Sequence, residues 1–413
     1  MALAKITPAR LAAFEVLTLV GQNKGHSDEL LHSARVDALS PEDRNLTTTL
    51  VMGVLRWQIA LDARIRTLLQ RPEQRLAEPV AIALRLGAFQ LLHLDRIPAH
   101  AALSESVELC RAAGEPHATG MVNAVLRKLA AAQKPGARIH ESVAAFAERL
   151  GHPRWLVERW VAAYGRDAAL KICEADQSEP VSGAMFSESG DDLPVMDDGS
   201  RLVAELAAAA MPDARRVWDC CAAPGGKTLI LSRRLGSAEV TASDVSSKRL
   251  AQTEARLQRY AYAERVACVV ADASRATDIE GSFDLILCDV PCSGTGTLAA
   301  NPEIRHRLKP EDLPRQVERQ RAILTGALKR LAPGGRLVYS TCSLEPEECE
   351  QVVEAVAGAL SLRRVPVAGL IEDLVREGIL REEPASAVRD DALRTLPGVH
   401  GCDGFFAVVL ERS

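Results

Sequence analysis

The sequence has no apolar stretch long enough to cross a membrane. No run in its 413 residues reaches the roughly 18 apolar residues that a membrane helix needs. The first residues, Met-Ala-Leu-Ala-Lys-Ile-Thr-Pro, also lack the apolar core of a signal peptide. We therefore expect a cytoplasmic protein that does not bind a membrane.

The cysteines and histidines lack the spacing of a metal site or a disulfide framework. No two of the ten cysteines form a Cys-x-x-Cys pair, and the nine histidines include no pair spaced as ligands. This pattern predicts reduced thiols and no metal site. Most cysteines inside cells are buried small hydrophobic residues, so a structural role is the first interpretation for each of them.

The sequence also lacks an overall positive charge. Its net charge of −5 argues against a uniformly basic nucleic-acid binder. Residues 1–140 nevertheless carry 17 Lys and Arg against 13 Asp and Glu, whereas the rest of the chain is acidic. A role in nucleic-acid binding would therefore begin in the N-terminal part, although a solvated surface explains so small an excess equally well.

The N-terminal part has the pattern of an all-helical domain. From Thr7 to about Leu129 the apolar residues recur at helical spacing, and β-branched alternation is scarce. Ser40-Pro41-Glu42-Asp43 has the composition of a helix start, with an N-cap, a proline and acidic residues. We predict a helical domain over residues 1–140 and a connector over residues 141–195.

The C-terminal part has the pattern of a doubly wound α/β domain, which we place at residues 196–413. Short apolar runs alternate there with amphipathic helices, as in a parallel sheet with crossover helices. The predicted strands are Val217 to Cys220, Val240 to Ser243, Val266 to Ala271, Phe283 to Val290, Arg336 to Ser340 and Phe405 to Leu410.

The first predicted strand ends in a glycine-rich turn, Asp219-Cys-Cys-Ala-Ala-Pro-Gly-Gly-Lys227-Thr. An open α/β sheet binds its cofactor at such a turn, and Gly225 and Gly226 let backbone approach a ligand closely. A triphosphate-binding loop would need glycine where Cys221 stands, so this turn is not one. A purely structural Gly-Gly turn remains the alternative.

Acidic residues follow the next two strands. Asp244 ends the second strand, where a carboxylate commonly accepts hydrogen bonds from a ribose, and Asp272 follows the third. Each one alone would also serve as a helix N-cap. With Asp219 they form a series at three successive strand ends, which favours a ligand that contains adenosine.

Two cysteines follow the fourth and fifth predicted strands. Cys292 stands in Asp289-Val-Pro-Cys and Cys342 in Tyr-Ser-Thr-Cys, and the two strands are expected to be neighbours. A thiolate that adds to C6 of a cytosine makes C5 nucleophilic, and a second thiol suits removal of the C5 proton. Asp289 would bond N3 or the exocyclic amine. The residues alone do not show which cysteine attacks.

These residues together resemble the Sun/Fmu (RsmB-like) family of bacterial 16S ribosomal RNA cytosine-C5 methyltransferases. The C-terminal half carries Cys221-Ala-Ala-Pro-Gly-Gly-Lys227, Asp289-Val-Pro-Cys-Ser-Gly-Thr-Gly, Asn301-Pro-Glu-Ile-Arg305 and Tyr339-Ser-Thr-Cys-Ser-Leu-Glu-Pro-Glu-Glu348 in the family's order. The helical half resembles the family's NusB-like RNA-binding domain through Gly53-Val-Leu-Arg-Trp57, Leu84-Arg-Leu-Gly-Ala-Phe-Gln90, Ile97-Pro-Ala-His100 and Val122-Asn-Ala-Val-Leu-Arg127.

The resemblance implies an activity and a role for each site residue. Cys342 would be the nucleophile and Cys292 would assist release of the methylated base. The target base must leave its stack, so naked or partly assembled 16S rRNA is the implied substrate, and a monomer is the expected state. S-adenosylmethionine would lie against Cys221, Ala222, Ala223, Pro224, Gly225, Gly226, Lys227, Asp244, Asp272 and Asp289.

The chain departs from the family at positions that concern RNA. The segment before the first strand is short, so an RNA-binding subdomain there is interpreted as truncated. Ala299-Ala300 and Cys349 replace residue types common in the family, and we interpret both as changes on an RNA-facing side. Two alternatives therefore stay open: the same chemistry on transfer RNA or another RNA, and a non-catalytic RNA-binding ribosome assembly factor.

Overall fold

The structure is a computed structural model that describes residues 6–132, 141–180, 183–188, 192–357, 362–384 and 386–412. Two compact units are present, one formed by Met1–Glu158 with Asn301–Arg307 and the other by Arg159–Ala300 with Leu308–Ser413. The domain boundary predicted at residue 140 lies outside the described residues. None of the described helices combines the length and the apolar composition that a membrane span requires.

Helices are the only regular elements among the described residues of the first unit, and helices also flank the sheet of the second. In chain order they are α1 Pro8–Gly21, α2 Ser27–Leu31, α3 Ala34–Asp37, α4 Pro41–Leu68, α5 Glu78–His93, α6 Ala99–Ala112, α7 Thr119–Ala131, α8 Val143–Arg149, α9 Arg154–Tyr164, α10 Arg166–Ala175, α11 Asp198–Ala210, α12 Gly226–Arg234, α13 Ser247–Leu257, α14 Ile304–Arg307, α15 Leu313–Leu328, α16 Glu350–Ala357 and α17 Val367–Arg376. The predicted connector thus contains three helices, α8 to α10.

Side-chain capping and close packing explain the long helix α4. Ser40 Oγ accepts a hydrogen bond from the Asp43 amide at 3.1 Å, and Pro41 occupies the first turn, as the sequence predicts. Midway along the helix, a Cβ atom on Gly53 would lie 1.9 Å from the Phe89 ring of α5. Only glycine lets these two helices approach so closely, and their buried leucines and valines then form the core of the first unit.

The motif that begins at Asn301 lies in the first unit, although its neighbours in sequence belong to the second. Glu303 accepts hydrogen bonds from the Ser27 amide at 3.1 Å and from Ser27 Oγ at 2.9 Å. Arg305 donates to the Arg56 carbonyl at 3.0 Å. His306 Nε2 lies 2.7 Å from the Leu55 carbonyl, and burial lowers the pKa of His306 to about 4, so the neutral ring donates this bond.

A nine-stranded mixed sheet forms the centre of the second unit. Its order is β3-β2-β1-β4-β5-β9-β8-β7, with β6 also paired to β9. Strands β1 to β5 are parallel and β9 is antiparallel to β5, so the predicted α/β fold class is confirmed. The strands are β1 Arg216–Asp219, β2 Glu239–Asp244, β3 Val266–Val270, β4 Phe283–Asp289, β5 Leu331–Thr341, β6 Leu362–Val365, β7 Val388–Arg389, β8 Ala392–Arg394 and β9 Phe406–Arg412.

Three short strands, β6 to β8, were not predicted from the sequence. Strands β7 and β8 span two and three residues and form a hairpin around Asp390 and Asp391. Both aspartates have positive φ, 49° and 59°, as a tight hairpin turn of the I′ type requires. An Asp-Asp pair is a much weaker hairpin signal than Asn-Gly, and so few residues show no periodicity.

The parallel arrangement brings the predicted motifs to one edge of the sheet. Strands β4 and β5 are neighbours, and Asp289 lies opposite Ser340 in their register. The segments that carry Cys292 and Cys342 therefore leave the sheet side by side. Strand β1, on the other side of β4, delivers the glycine-rich turn to the same edge.

We predict that a buried aspartate before β9 makes stability depend on pH. Burial first, then the charges of Asp197 and Asp176, raise the pKa of Asp403 to about 8 from an ordinary 3.8. The folded state keeps a proton on Asp403 that the unfolded state releases above pH 4. The protonated carboxyl therefore contributes to stability at low pH, and this contribution is lost as the pH rises toward 8. Asp403→Asn removes this titration and should therefore be relatively more stable at pH 8 than at pH 5.

Thermal unfolding at the two pH values tests this expectation. The melting temperature of Asp403→Asn minus that of the wild type should grow from pH 5 to pH 8, by roughly 2–4 °C for each kcal/mol of lost repulsion. Asp213→Asn, at an exposed position, is the matched control and should show no such growth. A difference for Asp403→Asn that is independent of pH would contradict the prediction.

Candidate active site

The glycine-rich turn links β1 to α12. Gly225 has a left-handed backbone with φ of +92° and directly precedes α12. A Cβ atom at this position would also lie 2.8 Å from Thr253 Cγ2. Glycine is required here for both reasons. Gly225 itself is not among the residues that line the adjoining clefts, so it shapes the turn.

The first cleft lies against this turn. Lys227 donates to Ser200 Oγ at 2.8 Å and forms a 2.9 Å ion pair with Asp289 Oδ2. Burial acts to lower the pKa of Lys227, but the charge and hydrogen bond of Asp289 outweigh it, and the pKa is raised. Lys227 is therefore a fixed positive charge beside Asp289. The cleft is lined by Val195, Met196, Ser200, Asp219, Cys221, Ala222, Ala223, Pro224, Gly226, Lys227, Arg256 and Asp289.

Asp219, at the end of β1, is the most deeply buried member of the acidic series. It accepts a hydrogen bond from Thr228 Oγ1 at 2.6 Å. Burial raises the pKa of Asp219 to about 7 against the opposing effect of that hydrogen bond. This hydrogen bond connects the end of β1 to the first turn of α12. Asp219 therefore stabilises the glycine-rich turn between them.

A second cleft of about 370 Å³ brings the other predicted residues together. This volume lies within the ~300–1,000 Å³ range of small-molecule sites. Seven of the residues predicted from sequence line it, from the turn, three strand ends and both thiol segments: Cys221, Ala223, Asp244, Asp272, Asp289, Cys292 and Cys342. Since Cys221, Ala223 and Asp289 line both clefts, the two form one continuous site.

The carboxylates at the ends of β2 and β3 serve both their own turns and the cleft. Asp244, 5% exposed, accepts a hydrogen bond from the Ser246 amide at 2.8 Å. Asp272 accepts from the hydroxyl and amide of Ser274, and the hydroxyl bond is the main cause that lowers the pKa of Asp272. Each carboxylate has further lone pairs for a ligand. Between them Val245, 57% exposed, presents an apolar surface to the cleft.

The two thiols meet in the second cleft. The sulfur atoms of Cys292 and Cys342 are 3.3 Å apart. The hydrogen bond between the sulfurs, followed by burial, raises the pKa of Cys292 well above its ordinary value. Cys292 therefore keeps its proton, and either sulfur can donate the hydrogen bond between them.

Asp289 lines both clefts, and the two thiols line the second cleft with it. Its Oδ1 accepts a hydrogen bond from Ser340 Oγ at 2.7 Å, and its Oδ2 pairs with Lys227. Both carboxylate oxygens are thus oriented, and each has a further lone pair that can accept from a substrate. The arrangement places two thiols and one fixed acceptor around a single small volume.

Several residues of the site were not predicted from the sequence, and two of them show why. Ser340 orients Asp289, and its position in Tyr-Ser-Thr-Cys was a usable signal. Arg319, on the exposed side of α15, lines the second cleft. No motif links α15 to the sheet edge, so the sequence held no signal for Arg319.

One interpretation of the sequence is wrong. Cys349 does not lie on an RNA-facing surface, because it is fully buried, donates to the Ser343 carbonyl at 3.4 Å and lies 3.4 Å from Thr341 Oγ1. Ala299 is also buried, whereas Ala300 is exposed. Within the described ranges, no three His, Cys, Asp or Glu side chains are grouped so that they could hold a metal ion.

Comparison with known proteins places this site in a family. Residues 207–411 match the model for 16S rRNA methyltransferase RsmB/F, and residues 7–131 match the NusB family. The ribosomal RNA small subunit methyltransferase B of Pseudomonas putida is 33% identical over 90% of this chain and 93% of the relative. That of Xanthomonas campestris is 32% identical, over 98% and 97% of the two chains. The chain belongs to the RsmB/F methyltransferase family.

Membership in this family makes the chain an RNA methyltransferase that uses S-adenosylmethionine. The fold agrees: the crystal structure of PH0851 covers 99% of both chains with a TM-score of 0.73, at 21% identity. The alignment with the Xanthomonas relative runs over 454 positions, more than the 413 residues here, so this chain lacks residues that the relative has. The truncated RNA-binding subdomain within residues 141–195 stays a prediction.

The residues of the two clefts fit this cofactor. S-adenosylmethionine carries hydroxyl and amino donors, an apolar ring and a charged amino acid end. Asp244 and Asp272 supply acceptors, Val245 supplies an apolar face, and Lys227 and Asp289 supply fixed charges. The volume is sufficient as well, so the donor set and the space both suit the group.

Proposed function

We propose that the chain methylates C5 of a cytosine in 16S ribosomal RNA through a covalent bond between Cys342 and C6. The observation that carries the proposal is the pair of thiols 3.3 Å apart in one cleft with Asp289. C5 of a cytosine is too weak a nucleophile to attack a methyl group unaided. Addition of a thiolate at C6 converts the ring into an enamine, whose C5 is nucleophilic.

Binding would be divided between the two clefts. The turn from Cys221 to Lys227 would hold the cofactor, Asp244 would accept from its ribose hydroxyls, and Asp272 would lie near its adenine. Asp289 would accept from the exocyclic amine of the cytosine and so favour addition at C6. S-adenosylmethionine would supply the methyl group as an electrophilic sulfonium.

The thiol pair then performs the two proton and bond changes on the base. The sulfur of Cys342 forms a bond to C6, and electron density moves toward C5. This addition consumes the charge on Cys342. The hydrogen bond between the sulfurs, which is the main cause of the raised pKa of Cys292, is then lost. Cys292 can therefore release its proton to solvent. Cys292 then takes the proton from methylated C5, the C5–C6 double bond forms again, and the bond between Cys342 and C6 breaks.

The RNA substrate follows from the family and from access to the base. A cytosine must leave its stack to reach a cleft at the sheet edge, which costs least in loops or incompletely assembled RNA. We therefore propose naked or partly assembled 16S rRNA as the substrate. Relatives named for the small ribosomal subunit support 16S rRNA over transfer RNA.

Mapping of 5-methylcytosine in total RNA tests the substrate. Cells that lack the gene should lose methylation at one or more cytosines of 16S rRNA, and the wild-type gene should restore it. The Cys342→Ala gene is the matched control and should restore nothing. Loss confined to transfer RNA would support the alternative substrate, and an unchanged profile in all RNA would contradict the proposal.

A further inference from the structure

A buried carboxylate behind the cleft connects the two thiol segments. Glu348, fully buried, lies in the short helical turn after Cys342. Its Oε1 accepts from the Ser293 amide at 2.9 Å and from Gln320 Nε2 at 2.8 Å. Its Oε2 accepts from Ser343 Oγ at 2.6 Å and from Ser293 Oγ. Four donors from three residues thus converge on one side chain.

The two serines directly follow the two thiols in sequence. Ser293 comes after Cys292, and Ser343 comes after Cys342. Gln320 also donates to the Pro291 carbonyl at 3.1 Å, so the Cys292 segment is held on both sides of its thiol. Because both serines bond one carboxylate, neither segment can shift without breaking a buried hydrogen bond.

We propose that Glu348 is a positioning residue that sets the contact between Cys292 and Cys342. Its catalytic consequence rests on the proposed function, whereas its effect on the distance between the sulfurs does not. Addition at C6 and removal of the C5 proton require a fixed relative position of the two sulfurs, with one at C6 and the other at the C5 proton. A displacement of about 1 Å in such a geometry costs on the order of 10²-fold in rate.

Glu348→Gln tests the proposal with little change in volume. The substitution replaces one acceptor oxygen by an amide donor, which then faces at least one of the four donors. The thiol segments should move apart. Glu348 lines neither cleft, so we expect kcat for methyl transfer to fall roughly 10²-fold with KM for S-adenosylmethionine unchanged.

Glu345→Gln is the matched control. Glu345 is also fully buried, three residues away, but its carboxylate accepts from Arg159 and from Trp160 Nε1. It bonds neither serine through its side chain. Loss of one acceptor there should leave the thiol contact and kcat close to those of the wild type.

Oxidation by diamide measures the thiol contact without RNA or cofactor. Each thiol loses one proton and one electron, the two sulfurs form a disulfide bond, and diamide is reduced to its hydrazine. Mass spectrometry of digested, alkylated protein gives the rate at which Cys292 and Cys342 become linked. We expect this rate to fall at least tenfold in Glu348→Gln and to stay unchanged in Glu345→Gln.

A wild-type rate of linkage in folded Glu348→Gln would overturn the proposal. Circular dichroism shows whether the variant is folded. If it is not, Ser343→Ala, which removes a single donor to Glu348, takes its place and should slow linkage severalfold. An unchanged linkage rate in Ser343→Ala would overturn the proposal too. If the linkage rate depends on Glu348 but the protein methylates no cytosine, the proposed function alone is contradicted. Normal kcat in Glu348→Gln would contradict the positioning role alone.

Discussion

Cys342→Ala should abolish methyl transfer. Without the thiolate of Cys342 to add at C6, C5 of the cytosine stays unreactive. We expect the rate of incorporation of labelled methyl groups into RNA to fall at least about 10⁴-fold, or about 5.4 kcal/mol in the barrier. No covalent complex with RNA should form.

A cysteine outside the site provides the control for this loss. Cys268 on β3 is half-buried and lines neither cleft. Cys268→Ala should therefore keep its methyl transfer within about twofold of the wild type, since surface and partly buried changes away from a site have small effects. Residual turnover of Cys342→Ala above one hundredth of the wild-type rate would contradict its role as the nucleophile.

Cys292→Ala should trap the enzyme on its RNA. Attack by Cys342 does not need the second thiol, but removal of the C5 proton does, so the reaction stops after methylation. We expect a single burst of methyl transfer, close to one per enzyme molecule, and a complex of protein and RNA that survives a denaturing gel. The complex should need S-adenosylmethionine to accumulate, because the base is trapped after it is methylated.

The double variant separates the two roles. Cys292→Ala with Cys342→Ala should form no complex, because the attacking thiol is gone. If Cys342→Ala alone accumulates the complex and Cys292→Ala does not, the roles are reversed.

The position of the site was predictable because the carboxyl ends of parallel strands lie at the same edge of a sheet. Once β4 and β5 are taken as neighbours, Cys292 and Cys342 leave the sheet side by side, whereas the 3.3 Å contact between their sulfurs depends on tertiary contacts. The same rule places Asp244, Asp272 and Asp289 around the second cleft. The confirmed fold class came from the alternation of strands and helices, and the confirmed cofactor was implied by the resemblance to the family.

Residues that act through tertiary contacts were not predictable in the same way. Glu348 stood in a quoted motif, but its bonds to Ser293 join segments 55 residues apart in sequence. The Asn301–Arg307 segment carries no periodic pattern that would assign it to the helical unit, where Glu303 bonds Ser27. Cys349 was misplaced for a related reason, because it is buried in a core cluster that includes residues far from it in sequence.

Identification of the residue that is bonded to the RNA tests most directly whether Cys342 is the nucleophile. Nuclease and protease digestion of the complex formed by Cys292→Ala should yield one peptide joined to a methylated cytidine, which mass spectrometry can sequence. We predict that the modified residue is Cys342. A nucleotide bonded to any other residue, or a burst of methyl transfer without a bonded peptide, would contradict it.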